Sequence, residues 1–129
     1  MAKPTAEIID YARQLKELGV EKPPEVGDWA STSQPDSRVI VDIWLTKNKP
    51  CLEFHGYVKM YDDYVVIPDL QWCLGWLKER RDDVILRPQN WGDNSSPWEC
   101  KVMGLEVTYH TSSHTAVLKA MLEVAKEGK

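Results

Sequence analysis

The sequence predicts an α+β protein: a mainly antiparallel sheet of five to six strands with two or three helices packed on it. The expected order is α-β-β-β-α-β-β-β-α. Three observations predict it. Apolar residues recur at helical spacing in three places: Ile8, Ala12 and Leu15; Leu70, Cys73 and Leu77; and Val117, Ala120, Met121 and Val124. Between these stretches lie short alternating runs, separated by turn-forming clusters at residues 47–50 and 62–63. Finally, 43% apolar and 28% charged residues in a chain of 129 are the composition of one ordinary globular domain. Its parts are a helix over 1–20, a linker loop over 21–37, a strand meander over 38–67 and a helix–three strands–helix unit over 68–129.

Each element has its own warrant. Thr5 is an N-cap for the first helix, whose inward stripe is Ile8, Tyr11, Ala12, Leu15 and Leu18, with Gly19 as the stop. Residues 21–37 hold Pro23, Pro24, Gly27 and Pro35 and follow neither period, which marks a connector. Trp29 within it reads as the residue that pins the loop to the core. Residues 39–46 alternate, with Val39, Val41, Ile43 and Leu45 on one face. A return strand follows, with Leu52, Phe54, Val58 and Met60 on one face and Glu53, His55, Tyr57 and Lys59 on the other. Residues 64–67 complete the meander. Asp69 caps the second helix, and Gly75 inside that helix suggests close packing, because a helical glycine costs about 1 kcal/mol relative to alanine. Short strands are expected near 84–87, 98–103 and 105–110, and Ser113 is expected to cap the last helix.

Bulk properties narrow the function classes. A net charge of −4 and a pI near 5.4 argue against a dedicated duplex-binding protein, which needs a basic face to replace phosphate counterions. No apolar run is long enough for a membrane span, and the first residues do not read as a signal peptide, so a cytoplasmic protein is expected. Cys51, Cys73 and Cys100 are an odd number at unrelated spacings, which favours reduced thiols over a disulfide framework. Six tryptophans in so short a chain leave aromatic surface for a partner. Trp29, Trp44, Tyr57, Trp72, Trp76 and Trp91 are the contact candidates.

Chemistry-bearing patterns are sparse. Pro68-Asp69 followed by Glu99-Cys100-Lys101 resembles the PD…(D/E)xK arrangement of metal-dependent nucleases. In that arrangement two carboxylates hold Mg²⁺, and a lysine on the same strand face stabilises charge at the scissile phosphate. Helix capping by Asp69 is the simpler account. Cys51, His55, His110 and His114 could supply four zinc ligands, although Cys51-x₃-His55 on one extended strand is too long a reach for one ion. Ser112 and Ser113 beside two histidines read as caps, since nothing marks an oxyanion hole or an orienting acid. Lys47, Lys49 and Lys59 with Trp44 and Tyr57 would form a modest basic–aromatic face for single-stranded nucleic acid. The helix–three strands–helix order also parallels double-stranded-RNA-binding domains. The last helix, however, opens without their lysine cluster.

Three segments together carry a resemblance: Ile67-Pro68-Asp69-Leu70, Trp98-Glu99-Cys100, and the Ala/Leu-rich run from Ala116 to Leu122. The portion from about 65 to 124 resembles small phage and prophage proteins with an ABA-sandwich domain. The resemblance implies a phage or prophage origin, an antiparallel sheet with helices, and no known biochemical activity. The expected function is that of a small accessory protein acting by protein–protein contact, with an unknown protein or another copy of itself as partner. No catalysis, cofactor, metal or membrane is expected, and nucleic acid is not favoured. The alternatives are a PD-(D/E)xK nuclease through Asp69, Glu99 and Lys101, or a single-stranded nucleic-acid-binding module.

Overall fold

A computed structural model describes residues 3–33, 36–45, 50–59, 64–89 and 97–127. Its contacts divide the chain into two units, Met1–Pro68 and Asp69–Lys129. The break falls between Pro68, which cannot donate to a ladder, and Asp69, which starts a helix.

In the first unit, α1 (Ala6–Glu17) begins where the Thr5 hydroxyl accepts the Ile8 N–H at 3.2 Å. It ends where Gly19 turns left-handed at φ +84 and the Val20 N–H bonds back to the Leu15 carbonyl. The helix buries Ile8, Ile9, Ala12 and Leu15, so its inward stripe lies slightly to one side of the expected one.

The strands are β1 (Trp29–Ser33), β2 (Asp36–Val39), β3 (Asp42–Leu45), β4 (Pro50–Phe54), β5 (Tyr57–Lys59) and β6 (Val65–Val66). Two strands thus occupy part of the segment expected as a loop. In β1 the sequence Trp-Ala-Ser-Thr-Ser carries little apolar signal, yet Ala30 and Ser31 are fully buried. The backbone makes this strand: it pairs antiparallel with β2 on one side and β6 on the other, and the Ser31 hydroxyl is satisfied by the Asp36 carbonyl at 2.7 Å.

The expected meander is corrected in two respects. The return strand breaks at His55-Gly56, with Gly56 at φ +93, so that Phe54 faces Tyr57 across a tight hairpin. The third strand, β6, pairs with β1 and leaves β5 on another sheet.

The link between β2 and β3 is where the sheets meet. Ile40 donates its N–H to the Asp28 carbonyl on the β1 side at 2.8 Å, and Val41 donates to the Glu53 carbonyl of β4 at 2.8 Å. Burial follows the exchange. Ile40 is fully buried while Val39 is exposed, so the predicted alternation through Val39 and Val41 fails at this point. Ala30, Ile40, Leu52, Phe54 and Tyr64 form the core cluster, with Ile43 and Val66 packed against it.

In the second unit, α2 (Leu70–Arg80) is capped by the Asp69 carboxylate, which accepts the Trp72 N–H at 3.0 Å. Strands β7 (Val84–Pro88), β8 (Trp98–Val102) and β9 (Thr108–His110) form an antiparallel sheet in sequence order, followed by α3 (Ser113–Glu127). The cap of α3 is Ser112, one residue before the expected Ser113: its hydroxyl accepts the Thr115 N–H at 3.2 Å. Because α3 packs on β8, β9 and α2 at once, it buries Leu118 and Leu122 in addition to the narrow stripe read from the sequence.

The architecture is α+β, with three helices and antiparallel pairing throughout the described residues. The single sheet of five to six strands is replaced by three sheets of three strands. The strands are two to five residues long, and the chain changes ladder partner at Ile40 and Val41 before any one sheet can widen. Among the described residues no helix is long and apolar enough to cross a membrane.

Two outcomes are expected. Among the described residues a Cβ at position 75 would meet nothing within 4 Å, so the close-packing reading finds no neighbour there. Gly75→Ala therefore raises stability by about 1 kcal/mol in urea denaturation. Burial pushes the Cys100 thiol up from 9.0 to about 11, against a smaller opposing effect from its Thr108 hydrogen bond. The fold thus prefers the neutral thiol. Its contribution is complete below pH 9, falls as pH rises through the ordinary value, and is gone above about 11. Denaturation at pH 8 and 10.5 should show this decline, and the decline should be shallower in Cys100→Ala.

Candidate interaction groove

The described residues of the first unit form a groove of about 410 Å³. This is within the ~300–1,000 Å³ range of ligand sites. Ala12, Leu15 and Lys16 come from the last turns of α1, and Val20 to Pro24 from the chain just past Gly19. Ile43, Pro50, Tyr64, Val65, Val66 and Pro68 complete the wall. Four of these residues are prolines, which hold φ fixed and present no N–H. The wall is therefore stiff, apolar and poor in backbone donors.

Two lysines shape the groove. The Lys16 ammonium donates to the Tyr64 carbonyl at 2.6 Å and stands 5.4 Å from the centre of the Tyr64 ring. That ring is buried, and its hydroxyl donates to the Pro50 carbonyl at 3.0 Å, so α1, β4 and β6 are tied at one residue. Lys22 is only 7% exposed and donates to Asp28 at 2.6 Å and to the Pro23 carbonyl at 3.3 Å. The same Asp28 oxygen accepts the Glu25 N–H at 3.0 Å. A buried ammonium is tolerable because it is paired, and the pair fixes the path of residues 22–28. Among the described residues the lining is mostly apolar, with Lys16, Glu21, Lys22 and Tyr64 as its polar members, an arrangement that suits binding.

Trp29 opens β1, half-buried, and its carbonyl accepts the Ile67 N–H at 2.8 Å. Trp44 on β3 is 53% exposed. Trp72 and Trp76 are half-buried on α2, with the Arg80 guanidinium 4.0 Å from the Trp76 ring. Trp91, Lys47 and Lys49 lie outside the described residues, as do the side chains of Tyr57 and Lys59.

Asp69 is occupied as the cap of α2. Glu99 and Lys101 share one face of β8, as strand alternation requires, with Lys101 exposed and Glu99 buried. Glu99 accepts from Arg87 Nε at 2.7 Å and from the Gln89 amide. That hydrogen bond to Glu99 in turn holds the Arg87 guanidinium more firmly protonated. The carboxylate that the nuclease alternative would place at a metal is engaged in an ion pair. Of the zinc candidates, Cys51 is buried in β4 and His55 sits in the exposed turn after it. His110 Nδ1 accepts the Ser112 N–H at 2.9 Å, and His114 lies in the first turn of α3. Among the described residues no three His, Cys, Asp or Glu side chains come together to hold a metal ion.

The groove residues were not singled out from sequence. The available signal was Pro23-Pro24 directly after a helix stop, which read as mere punctuation. No family model, curated protein or solved structure matches the chain.

Removing the buried ammonium tests the groove wall. Lys22→Ala leaves the Asp28 carboxylate, 17% exposed, without its cation, and is expected to cost roughly 3 kcal/mol in chemical denaturation. Adding Asp28→Ala should cost much less than the sum of the two single changes.

Proposed function

We propose that this is a small phage or prophage accessory protein that acts by protein–protein contact, with the groove of the first unit as its contact site. The observation that carries the reading is the groove itself. It is a stiff, apolar, proline-walled concavity. Two of the three residues considered for catalysis, by contrast, are used in the fold: Asp69 as a cap and Glu99 in a hydrogen-bonded ion pair. The sequence likeness across about 65–124 supports the origin, and a cytoplasmic setting belongs to the same proposal. Trp44 supplies a second, exposed aromatic on β3.

The test begins with tagged full-length protein as bait in nuclease-treated bacterial lysate, with bound proteins identified by mass spectrometry. Any candidate is then purified and titrated against wild type and two folded variants. Val20→Asp places a charge in the half-buried groove lining; it should weaken binding at least 10-fold, about 1.4 kcal/mol. Trp44→Ala should weaken it less. Binding indifferent to Val20→Asp would remove the groove from the account.

A further inference from the structure

From the free edge of β6 we infer that the groove takes a short extended peptide by strand addition, pairing through both main-chain groups of Val66. This deepens the protein-contact reading and rests on it.

The argument begins with the direction of backbone groups. β6 is the edge strand of its sheet, with β1 as its neighbour. The Ile67 N–H bonds to the Trp29 carbonyl at 2.8 Å, so Ile67 faces β1. Val65 faces β1 as well, paired with Ser31. Because successive residues point their N–H and C=O groups to opposite sides, those of Tyr64 and Val66 face away from β1. Lys16 verifies the direction: it reaches the Tyr64 carbonyl from α1, and both residues line the groove. Val66 also lines the groove, and its N–H and C=O have no partner among the described residues.

The edge is guarded on both sides of Val66. Lys16 occupies the Tyr64 carbonyl before it, and Pro68 after it has no N–H. Lysines and prolines are the usual means of blocking unselective strand pairing. Here they leave one two-way pair open and so define a single register. The occupant must bring a donor and an acceptor on one residue, in extended form, with apolar neighbours to meet Ile43 and Val20. A second folded copy is a poorer fit, because a stable interface needs roughly 800 Å² from each partner, whereas the pairing left open here is that of one residue, Val66, between Lys16 and Pro68.

The experiment pans a displayed library of random 12-residue peptides on the full chain and titrates the best synthetic peptide by calorimetry. An N-methyl scan of that peptide should find one position at which methylation weakens binding at least 10-fold, with the residues on either side changing it less than about 2-fold. Val66→Pro should also weaken it at least 10-fold. The scan uses wild-type protein and so stands even if that variant fails to fold. Peptides that tolerate methylation everywhere, or lose affinity every three to four residues as a helix would, overturn strand addition and leave the protein-contact reading intact. A library that yields no binder overturns strand addition too. The protein-contact reading then falls with it only if the lysate also yields no partner sensitive to Val20→Asp.

Discussion

Residues 36–45 give their backbone to both sides, and the first unit depends on that exchange. Ile40 bonds toward β1 and Val41 toward β4, so one continuous run of chain holds two ladders together. Each such bond is worth only about 1 kcal/mol net, but an unsatisfied buried amide would cost more. The pairing therefore acts mainly by excluding other paths for the chain. Ile40, fully buried at the point of exchange, is also a member of the core cluster with Ala30, Leu52, Phe54 and Tyr64. Hydrogen bonding and apolar burial meet at the same residue.

The groove follows from this frame. With β1 between β2 and β6, the two-residue β6 is left at an edge, and α1 lies beside it. Lys16 spans from the helix to that edge, while the Tyr64 hydroxyl reaches Pro50. The far wall is a loop held by the buried Lys22–Asp28 pair. A charge pair in such a position is an inefficient source of stability compared with apolar packing. What it supplies is a fixed loop path, which a preformed site requires.

Much of this was legible in the sequence, for identifiable reasons. The helices were, because apolar spacing and capping residues are local: Thr5 and Asp69 cap where expected, and Gly19 ends α1 in the left-handed conformation. The cap of α3 was misplaced by one residue because Ser112 and Ser113 are chemically equal in sequence, and the geometry after His110 selects the first. Strand β1 was missed because its burial is carried by Ala30 and Ser31, which contribute no hydrophobic period. Partner choice for β6 was beyond the reach of local patterns, since the pairing spans more than thirty residues of chain. The groove was illegible for the same reason. Its walls come from α1, β3, β4 and β6, and no one of those segments carries a motif.

Amide hydrogen exchange on the free protein, resolved residue by residue, tests the account at its centre. Ile40 and Val41, bonded into opposite ladders, should exchange slowly and to a similar extent, while the Val66 amide should exchange far faster than its neighbours Val65 and Ile67. A Val66 amide as protected as that of Ile67 would mean that the edge of β6 is already paired. An unprotected Ile40 would mean that residues 36–45 do not join the two ladders, and the groove would lose its frame.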